Sequence, residues 1–207
     1  MRRCFLKKKQ VHASEQKRED VAQARKEWKE KQENHVELPV DKLVFLDESG
    51  VNIDMVRRYG RAKNKNRVND YAPVNTPKKT TLVSSVRLDG TQAYEFFQGS
   101  LNGKNFLSYV KNTLIPTLKK GDIVVMDNLS CHKVKGVKEA IEEAGASVLY
   151  LPPYSPDFNP IEMMWSKMKI LFRYWKIDTP DFLHSVFLVV FSSVFFFLYS
   201  FSSWLEL

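Results

Sequence analysis

Two aspartates stand directly after short apolar runs that the sequence predicts to be strands. Asp47 follows residues 43–46 and Asp127 follows residues 123–126. Both runs are continuously apolar, which is typical of strands buried on both faces. Ligands of open α/β sheets gather at the carboxyl ends of the central strands. The two carboxylates are therefore expected to meet if these strands are parallel neighbours, whereas either aspartate taken alone would be an ordinary turn residue.

A third acid, Glu162, follows the next predicted strand, residues 147–151, through a stiff loop with four prolines in residues 152–160. A helix is predicted to begin after this loop, with Asn159 as its cap and Pro160 at its first position. Glu162 can then converge on the same crevice as the two aspartates. Its place three residues after Asn159 also fits a capping box, in which the carboxylate only closes the helix start.

Three carboxylates held close together predict a cation site. Close carboxylates repel one another and raise each other's pKa, unless a divalent cation lies between them. Oxygen ligands, with no His/Cys cluster at metal-binding spacing, favour Mg²⁺ or Mn²⁺ over zinc. Two such ions about 3.5–4 Å apart activate a water or a hydroxyl and stabilise the leaving oxygen of a phosphodiester. The pattern therefore predicts metal-dependent chemistry on a phosphodiester.

Polar neighbours of the two aspartates carry weaker signals. Asn128 and His132 are auxiliary candidates, since His132 could orient a phosphate or a hydroxyl. A solvated loop histidine is the alternative. Glu48 is left out of the predicted site, because a strand that continued past Asp47 would point the side chain of Glu48 to the opposite face.

The charge of the chain favours a polyanionic partner. Its 207 residues contain 32 Lys and Arg against 24 Asp and Glu, a net charge of +8, and only two cysteines, which excludes a disulfide framework and a four-thiolate zinc site. Residues 57–79 hold eight basic residues, against which stand only the acids Asp54 and Asp70, although an ordinary solvated hairpin is the alternative. With two residues from the polar stripe of the predicted helix after Pro160, the DNA-binding candidates are Arg57, Arg58, Arg61, Lys63, Lys65, Arg67, Lys78, Lys79, Lys169 and Arg173.

The remaining patterns predict the elements that hold these residues. Residues 80–87 and 91–98 flank an Asp-Gly turn, which is a strong hairpin signal. Apolar residues recur at helical spacing over residues 106–118 and 134–144. Strand, helix and strand over residues 123–151 predict a parallel crossover. The fold class is therefore predicted to be α/β.

The acid motifs resemble those of a known family. Residues 149–162 (LYLPPYSPDFNPIE), residues 45–50 (FLDESG) and residues 124–128 (VVMDN) are similar to the three acid motifs of DDE transposases, and 34 residues separate Asp127 from Glu162 (162 − 127 − 1). From about Lys7 to Trp175 the chain resembles the catalytic half of a bacterial insertion-sequence transposase of the mariner superfamily.

This resemblance implies a ribonuclease-H-like mixed sheet flanked by helices, and a DNA transposase that cleaves transposon ends and transfers the strand to target DNA. It implies two Mg²⁺ ions, or Mn²⁺, held by Asp47, Asp127 and Glu162. It also implies a homodimer on paired DNA ends, a separate helix-turn-helix protein for recognition, and a cytoplasmic, nucleoid-associated location. The alternative is a catalytically inactive remnant that acts at most as a DNA-binding module.

Three regions are predicted along the chain. Residues 1–38 form a charged helical arm, whose helix over residues 14–32 is capped by Ser14 and is expected to be a solvated helix rather than a contact arm. Residues 41–178 form the catalytic domain. Residues 182–207 form an atypical Phe/Ser-rich apolar tail, with no charged residue from 182 to 205. A frameshifted end is the preferred interpretation of the tail; a membrane anchor, which its length permits, and a buried helix are the alternatives.

Overall fold

The computed structural model describes residues 13–33, 38–52, 55–56, 59–60, 62, 67–71, 79–90, 92–177 and 179–193. Within these residues the strands are β1 (Leu43–Val51), β2 (Thr80–Arg87), β3 (Gln92–Gln98), β4 (Ile123–Met126) and β5 (Ser147–Tyr150). The α-helices are α1 (Glu19–Glu33), α2 (Gly103–Tyr109), α3 (Val137–Glu143), α4 (Ile161–Trp175) and α5 (Pro180–Ser193).

The strands form a mixed sheet in the order β3-β2-β1-β4-β5. β1, β2 and β3 are antiparallel neighbours, and the predicted hairpin turn between β2 and β3 is confirmed, with Gly90 in the left-handed region at φ +80°. β4 runs parallel to β1 on one side and to β5 on the other. This arrangement confirms the predicted α/β class and makes β1 and β4 the central strands.

Two apolar layers cover the two faces of the sheet. On one face, Phe45 packs with side chains of α4 and α5, among them Trp165 and Phe187. On the other face, Leu46 packs with side chains of α2 and α3, among them Phe106 and Ile141. Because successive side chains of a strand alternate between faces, β1 directs Asp47 toward the α4 layer and the next residue toward the α2 layer.

The N-terminal helix is packed on the domain instead of being fully solvated. Ser14 does not cap it: a 3-10 turn over Ser14–Lys17 precedes α1, and the Ser14 hydroxyl donates to the carboxylate of Glu15. Val21 and Trp28 are buried, which their spacing of seven residues permits on one helix face. The expectation of a wholly solvated helix is therefore wrong for this face.

The helix predicted over residues 106–118 is not continuous. It consists of α2, a π-helical turn over Val110–Leu114 and a 3-10 turn over Ile115–Thr117. Pro116 lies in the last turn, where it lacks a backbone N–H and its ring conflicts with the carbonyl of the preceding helical turn. A regular α-helix therefore cannot continue through this position.

The first part of the apolar tail belongs to the core. In α5, Leu183, Val186 and Phe187 are buried, and the Phe187 ring lies 4.7 Å from that of Tyr94 and 5.3 Å from that of Phe96. This packing contradicts the interpretation that the tail is foreign to the fold from residue 182 onward. The buried-helix alternative is the one that fits residues 183–187. Residues 194–207 lie outside the described residues. Among those described, no helix has the length and apolar character needed to cross a membrane.

Replacing Phe187 with Ala is expected to lower the free energy of unfolding by about 3 kcal/mol, because a fully buried ring is removed and a cavity remains. The neighbouring Leu188 is 47% exposed, so Leu188→Ala should cost less than about 1 kcal/mol and serves as the matched control. Urea denaturation measures both values. Equal destabilisation in the two variants would show that α5 does not pack on the sheet through Phe187.

Candidate active site

Asp47 lies within a central strand. β1 continues to Val51, so the prediction that the strand ends before Asp47 is wrong. The side chain of Asp47 faces the α4 layer and is 8% exposed, and the indole Nε1 of Trp165 donates a hydrogen bond to its Oδ2 at 3.1 Å. Strand and indole together fix the position of this carboxylate.

Asp127 directly follows β4, the parallel neighbour of β1. Its Oδ1 accepts a hydrogen bond from the backbone N–H of Leu129 at 3.0 Å and lies 2.8 Å from Nδ1 of His132. Burial raises the pKa of Asp127, but the hydrogen bonds from His132 and Leu129 outweigh it and lower the pKa below its usual value. Asp127 is thus held in its ionised form.

Glu162 lies in the first turn of α4 and is not part of a capping box. Pro160 is the cap residue of this helix, and the backbone N–H of Asn159, which a capping box would satisfy with Glu162, donates instead to the carbonyl of Pro156 at 3.1 Å. The prediction that Asn159 is the cap is therefore wrong. Among the described residues, no group donates a hydrogen bond to the Glu162 carboxylate.

All three predicted acids line one cleft of about 470 Å³, whose other wall is the proline-rich loop after β5. Burial, and then the negative charges of Glu48, Glu162 and Asp127, raise the pKa of Asp47 to about 8. Burial likewise raises the pKa of Glu162; the positive charge of Lys169 opposes this effect, and the charge of Asp127 adds to it. The three carboxylates are therefore close enough to repel one another.

The lining of the cleft fits a hard cation. Its acids are destabilised by one another, which a bound divalent ion would reverse. Asn159 also lines the cleft, is 4% exposed, and has no hydrogen-bond partner for its Oδ1 in the described part of the chain. A buried acceptor without a partner is costly, and oxygen donors of these kinds suit Mg²⁺ or Mn²⁺.

The auxiliary candidates have defined positions. Asn128 lines the cleft, and its Nδ2 donates to the carbonyl of Leu151, which joins the ends of β4 and β5. His132 is fully buried, so the solvated-loop alternative is wrong. Glu48 points away from Asp47 as expected, yet its Oε2 lies 3.1 Å from Nε2 of His132. The alternation of side chains along β1 is the only sequence signal for Glu48, and it does not reveal this partner.

The N-terminal helix braces the proline-rich wall of the cleft. Arg25 donates two hydrogen bonds to Asp157 and one to the hydroxyl of Ser155, and its guanidinium lies 4.3 Å from the centre of the Phe158 ring. The ring of Trp28 stacks on the same phenylalanine at 6.5 Å. The helix of the predicted arm thus contacts the proline-rich loop, and its charged composition gives no sign of this contact.

Four of the predicted DNA-binding residues are described. Arg67 and Lys79 are exposed, while Lys169 and Arg173 are half-buried on α4, the helix that carries Glu162. The positive charge of Lys169, seven residues after Glu162 on α4, acts to lower the pKa of that carboxyl. The other candidates lie outside the described residues: Arg57, Arg58, Arg61, Lys63, Lys65 and Lys78.

Several solved structures of Mos1 transposase have a fold similar to that of this chain. The chain superposes on the Mos1 strand transfer complex with a TM-score of 0.78, at 16% identity, and the match covers 99% of this chain and 64% of that one. Against the catalytic domain of Mos1 mariner transposase the TM-score is 0.66, at 17% identity, with 88% and 85% covered. The sheet and its helices thus have the ribonuclease-H-like fold of that domain. No curated protein matches the chain in sequence.

The chain spans only part of the larger Mos1 chains, for example 53% of the one in the paired-end complex with the left transposon end, with a TM-score of 0.63 at 16% identity over 82% of this chain. The family model for DDE superfamily endonucleases matches residues 42–183, which is more than half of the sequence and contains the three acids of the cleft. The protein therefore belongs to the DDE superfamily endonuclease family.

Proposed function

We propose that the chain is the catalytic part of a DNA transposase, which cleaves DNA at transposon ends and transfers the freed strand to a target. The observation that carries the proposal is the convergence of Asp47, Asp127 and Glu162 on one cleft. Similar structures support it, because they include Mos1 complexes with a transposon end and of strand transfer, and paired-end complexes with Mg or Mn. An origin in a bacterial insertion sequence stays a prediction.

Asp47, Asp127 and Glu162 would hold Mg²⁺ or Mn²⁺ in the cleft, with two ions expected. When bound, such ions lower the pKa of a nucleophilic water or hydroxyl and stabilise charge on the leaving oxygen. The protein itself fixes the ligands: the Trp165 indole orients Asp47, and the Leu129 amide orients Asp127. The proline-rich loop, braced by α1, keeps the opposite wall of the cleft in place.

DNA is the proposed partner, and we expect a homodimer of the protein to bind two paired DNA ends. The net charge of +8 suits a polyanion. The basic segment before β2 and the stripe on α4 are the proposed contact surfaces, and Lys169 would bind a phosphate beside the cleft. A separate helix-turn-helix protein for end recognition, and a cytoplasmic location with the nucleoid, belong to the same proposal.

Neutralising the stripe on α4 is expected to weaken DNA binding without regard to sequence. Lys169→Gln with Arg173→Gln should lower the slope of log affinity against log salt by about 0.9 for each phosphate that the protein no longer neutralises. Fluorescence anisotropy with a duplex at several salt concentrations measures this slope. Lys138→Gln is the matched control, because Lys138 is exposed on α3 and pairs with Glu142. A slope that is the same in all three proteins would place the DNA elsewhere.

Metal-dependent nicking tests the proposed reaction. The chain would be incubated with supercoiled plasmid in Mn²⁺, in Mg²⁺ and in EDTA, since one cut phosphodiester relaxes the plasmid whatever its sequence. We expect nicking with either metal, none in EDTA, and none with Asp47→Asn, which keeps the acceptor for the Trp165 indole. Joining of oligonucleotides that carry the repeats flanking the gene would then test strand transfer. Plasmid binding without nicking in any metal would instead support the inactive remnant.

A further inference from the structure

A fully buried histidine lies between two carboxylates beside the cleft. Nδ1 of His132 is 2.8 Å from Oδ1 of Asp127, and Nε2 is 3.1 Å from Oε2 of Glu48. The His132 side chain is 0% exposed and that of Glu48 is 16% exposed. Both ring nitrogens therefore face an acceptor, an arrangement in which each donates a hydrogen bond.

The orientation of the imidazole ring is fixed by its surroundings. The ring of Phe106 packs on it, with the centroids 4.4 Å apart, and the hydroxyl of Tyr150 donates to the carbonyl of His132 at 3.3 Å. Burial lowers the pKa of His132, but the hydrogen bonds to Asp127 and Glu48, and their charges, raise it to about 9. The packing and the two short contacts together hold the ring between Asp127 and Glu48.

This cluster has the residue types of a metal centre but not a free donor set. Ligand atoms of Glu48, Cys131 and His132 all lie within 4.8 Å of one another. Each nitrogen of His132, however, already faces a carboxylate, so neither has a lone pair for an ion. Burial and the charge of Glu48 raise the pKa of the Cys131 thiol to about 11. The geometry therefore favours a row of hydrogen-bonded side chains, from Glu48 through His132 to Asp127, over a metal centre.

The contacts between Glu48, His132 and Asp127 determine which oxygen of Asp127 is available to the cleft. Oδ1 lies 2.8 Å from Nδ1 of His132, which is also 3.4 Å from the backbone carbonyl of Asp127, and Oδ1 accepts a hydrogen bond from the amide of Leu129. Oδ2 receives no hydrogen bond from the described residues. We propose that Glu48 and His132 are a positioning pair, which holds Asp127 by Oδ1 and leaves Oδ2 for the metal. The inference rests on the proposed function, because it assigns Asp127 as a metal ligand. Partners that orient a ligand in this way are worth about 10–100-fold in metal affinity.

Two substitutions of His132 separate positioning from packing. The amide nitrogen of Asn can replace Nδ1, and the longer Gln side chain places its amide nitrogen near the position of Nε2. His132→Asn therefore keeps a donor to Asp127, while His132→Gln keeps only the one to Glu48. We expect His132→Gln to weaken Mn²⁺ binding by about 10–100-fold, and His132→Asn to recover most of that affinity. The readout is the Mn²⁺ affinity of the full chain without DNA, from the electron paramagnetic resonance signal of free Mn²⁺.

Two further variants complete the experiment. Glu48→Gln removes one charge without changing size and should weaken Mn²⁺ binding by about 10-fold, which gives a result independent of any packing defect at His132. Cys131→Ser is the control in the same turn and should bind as the wild type does. Equal affinities of the Gln and Asn variants of His132, whether lowered or unchanged, would overturn the positioning role. A wild-type chain that binds no Mn²⁺ would count against the proposed function itself and would remove Asp127 as a ligand.

Discussion

A Glu162→Gln variant is expected to lose metal-dependent DNA cleavage by at least about 10³-fold while it folds and binds DNA as the wild type does. The substitution preserves size but removes a negative charge from the cleft. If that charge helps to hold the cation, the loss of about 4 kcal/mol of transition-state stabilisation accounts for the factor. Nicking of supercoiled plasmid in Mn²⁺, measured as an initial rate, gives the ratio.

We expect Glu162→Gln to leave the stability of the fold unchanged. The Glu162 carboxylate accepts no hydrogen bond from the described residues, and the capping role that could have made it structural is filled by the carbonyl of Pro156 at Asn159. Burial and the charge of Asp127 both raise the pKa of Glu162, so the neutral amide should keep the melting temperature or raise it slightly. Glu142→Gln on the exposed side of α3 is the control for removal of one acid. Cleavage by Glu162→Gln at the wild-type rate would remove Glu162 from the proposed site.

The positions of the three acids can be predicted from the sequence because each position depends on a local pattern. Short apolar runs predict the neighbouring central strands that hold Asp47 and precede Asp127, and the proline-rich loop brings Glu162 to the same cleft. Local patterns do not predict where β1 ends. Its extension to Val51 depends on pairing with β2, whose residues Thr80 and Thr81 lie opposite Val51 and Gly50. Cross-strand partners of this kind leave no local signal.

Partners that are distant in sequence also escape prediction. Trp165 donates to Asp47 across 118 residues, and His132 contacts Glu48 across 84 residues. The apolar face of α4 predicts that Trp165 is a core residue, but its indole N–H acquires a role only after α4 packs on β1. The packing of Phe187 escapes for a different reason: a uniformly apolar segment lacks the periodicity that distinguishes a buried helix from a foreign tail.

The other large effect is expected away from the cleft, at a buried ion pair. Arg87 ends β2 and Asp122 precedes β4, at the opposite end of the central strands from Asp127. Their side chains are 2% and 0% exposed, and Nη2 of Arg87 lies 2.6 Å from Oδ2 of Asp122. Arg87 also donates to the carbonyl of Thr117, and Asp122 accepts from the amide of Lys119. This pair joins the hairpin to the crossover that carries Asp127.

Arg87→Met is expected to lower the free energy of unfolding by about 3–5 kcal/mol, because it leaves the Asp122 charge buried without a partner. The double variant Arg87→Met with Asp122→Asn removes both charges and keeps the acceptor for the Lys119 amide. It should therefore recover most of the stability, a coupling that a double-mutant cycle in urea measures. The exposed pair of Lys119 and Asp89 is the control, since Lys119→Met should change stability by less than about 1 kcal/mol. Simple additivity of the two buried substitutions would show that they act independently, and that the ion pair does not hold β2 to the start of β4.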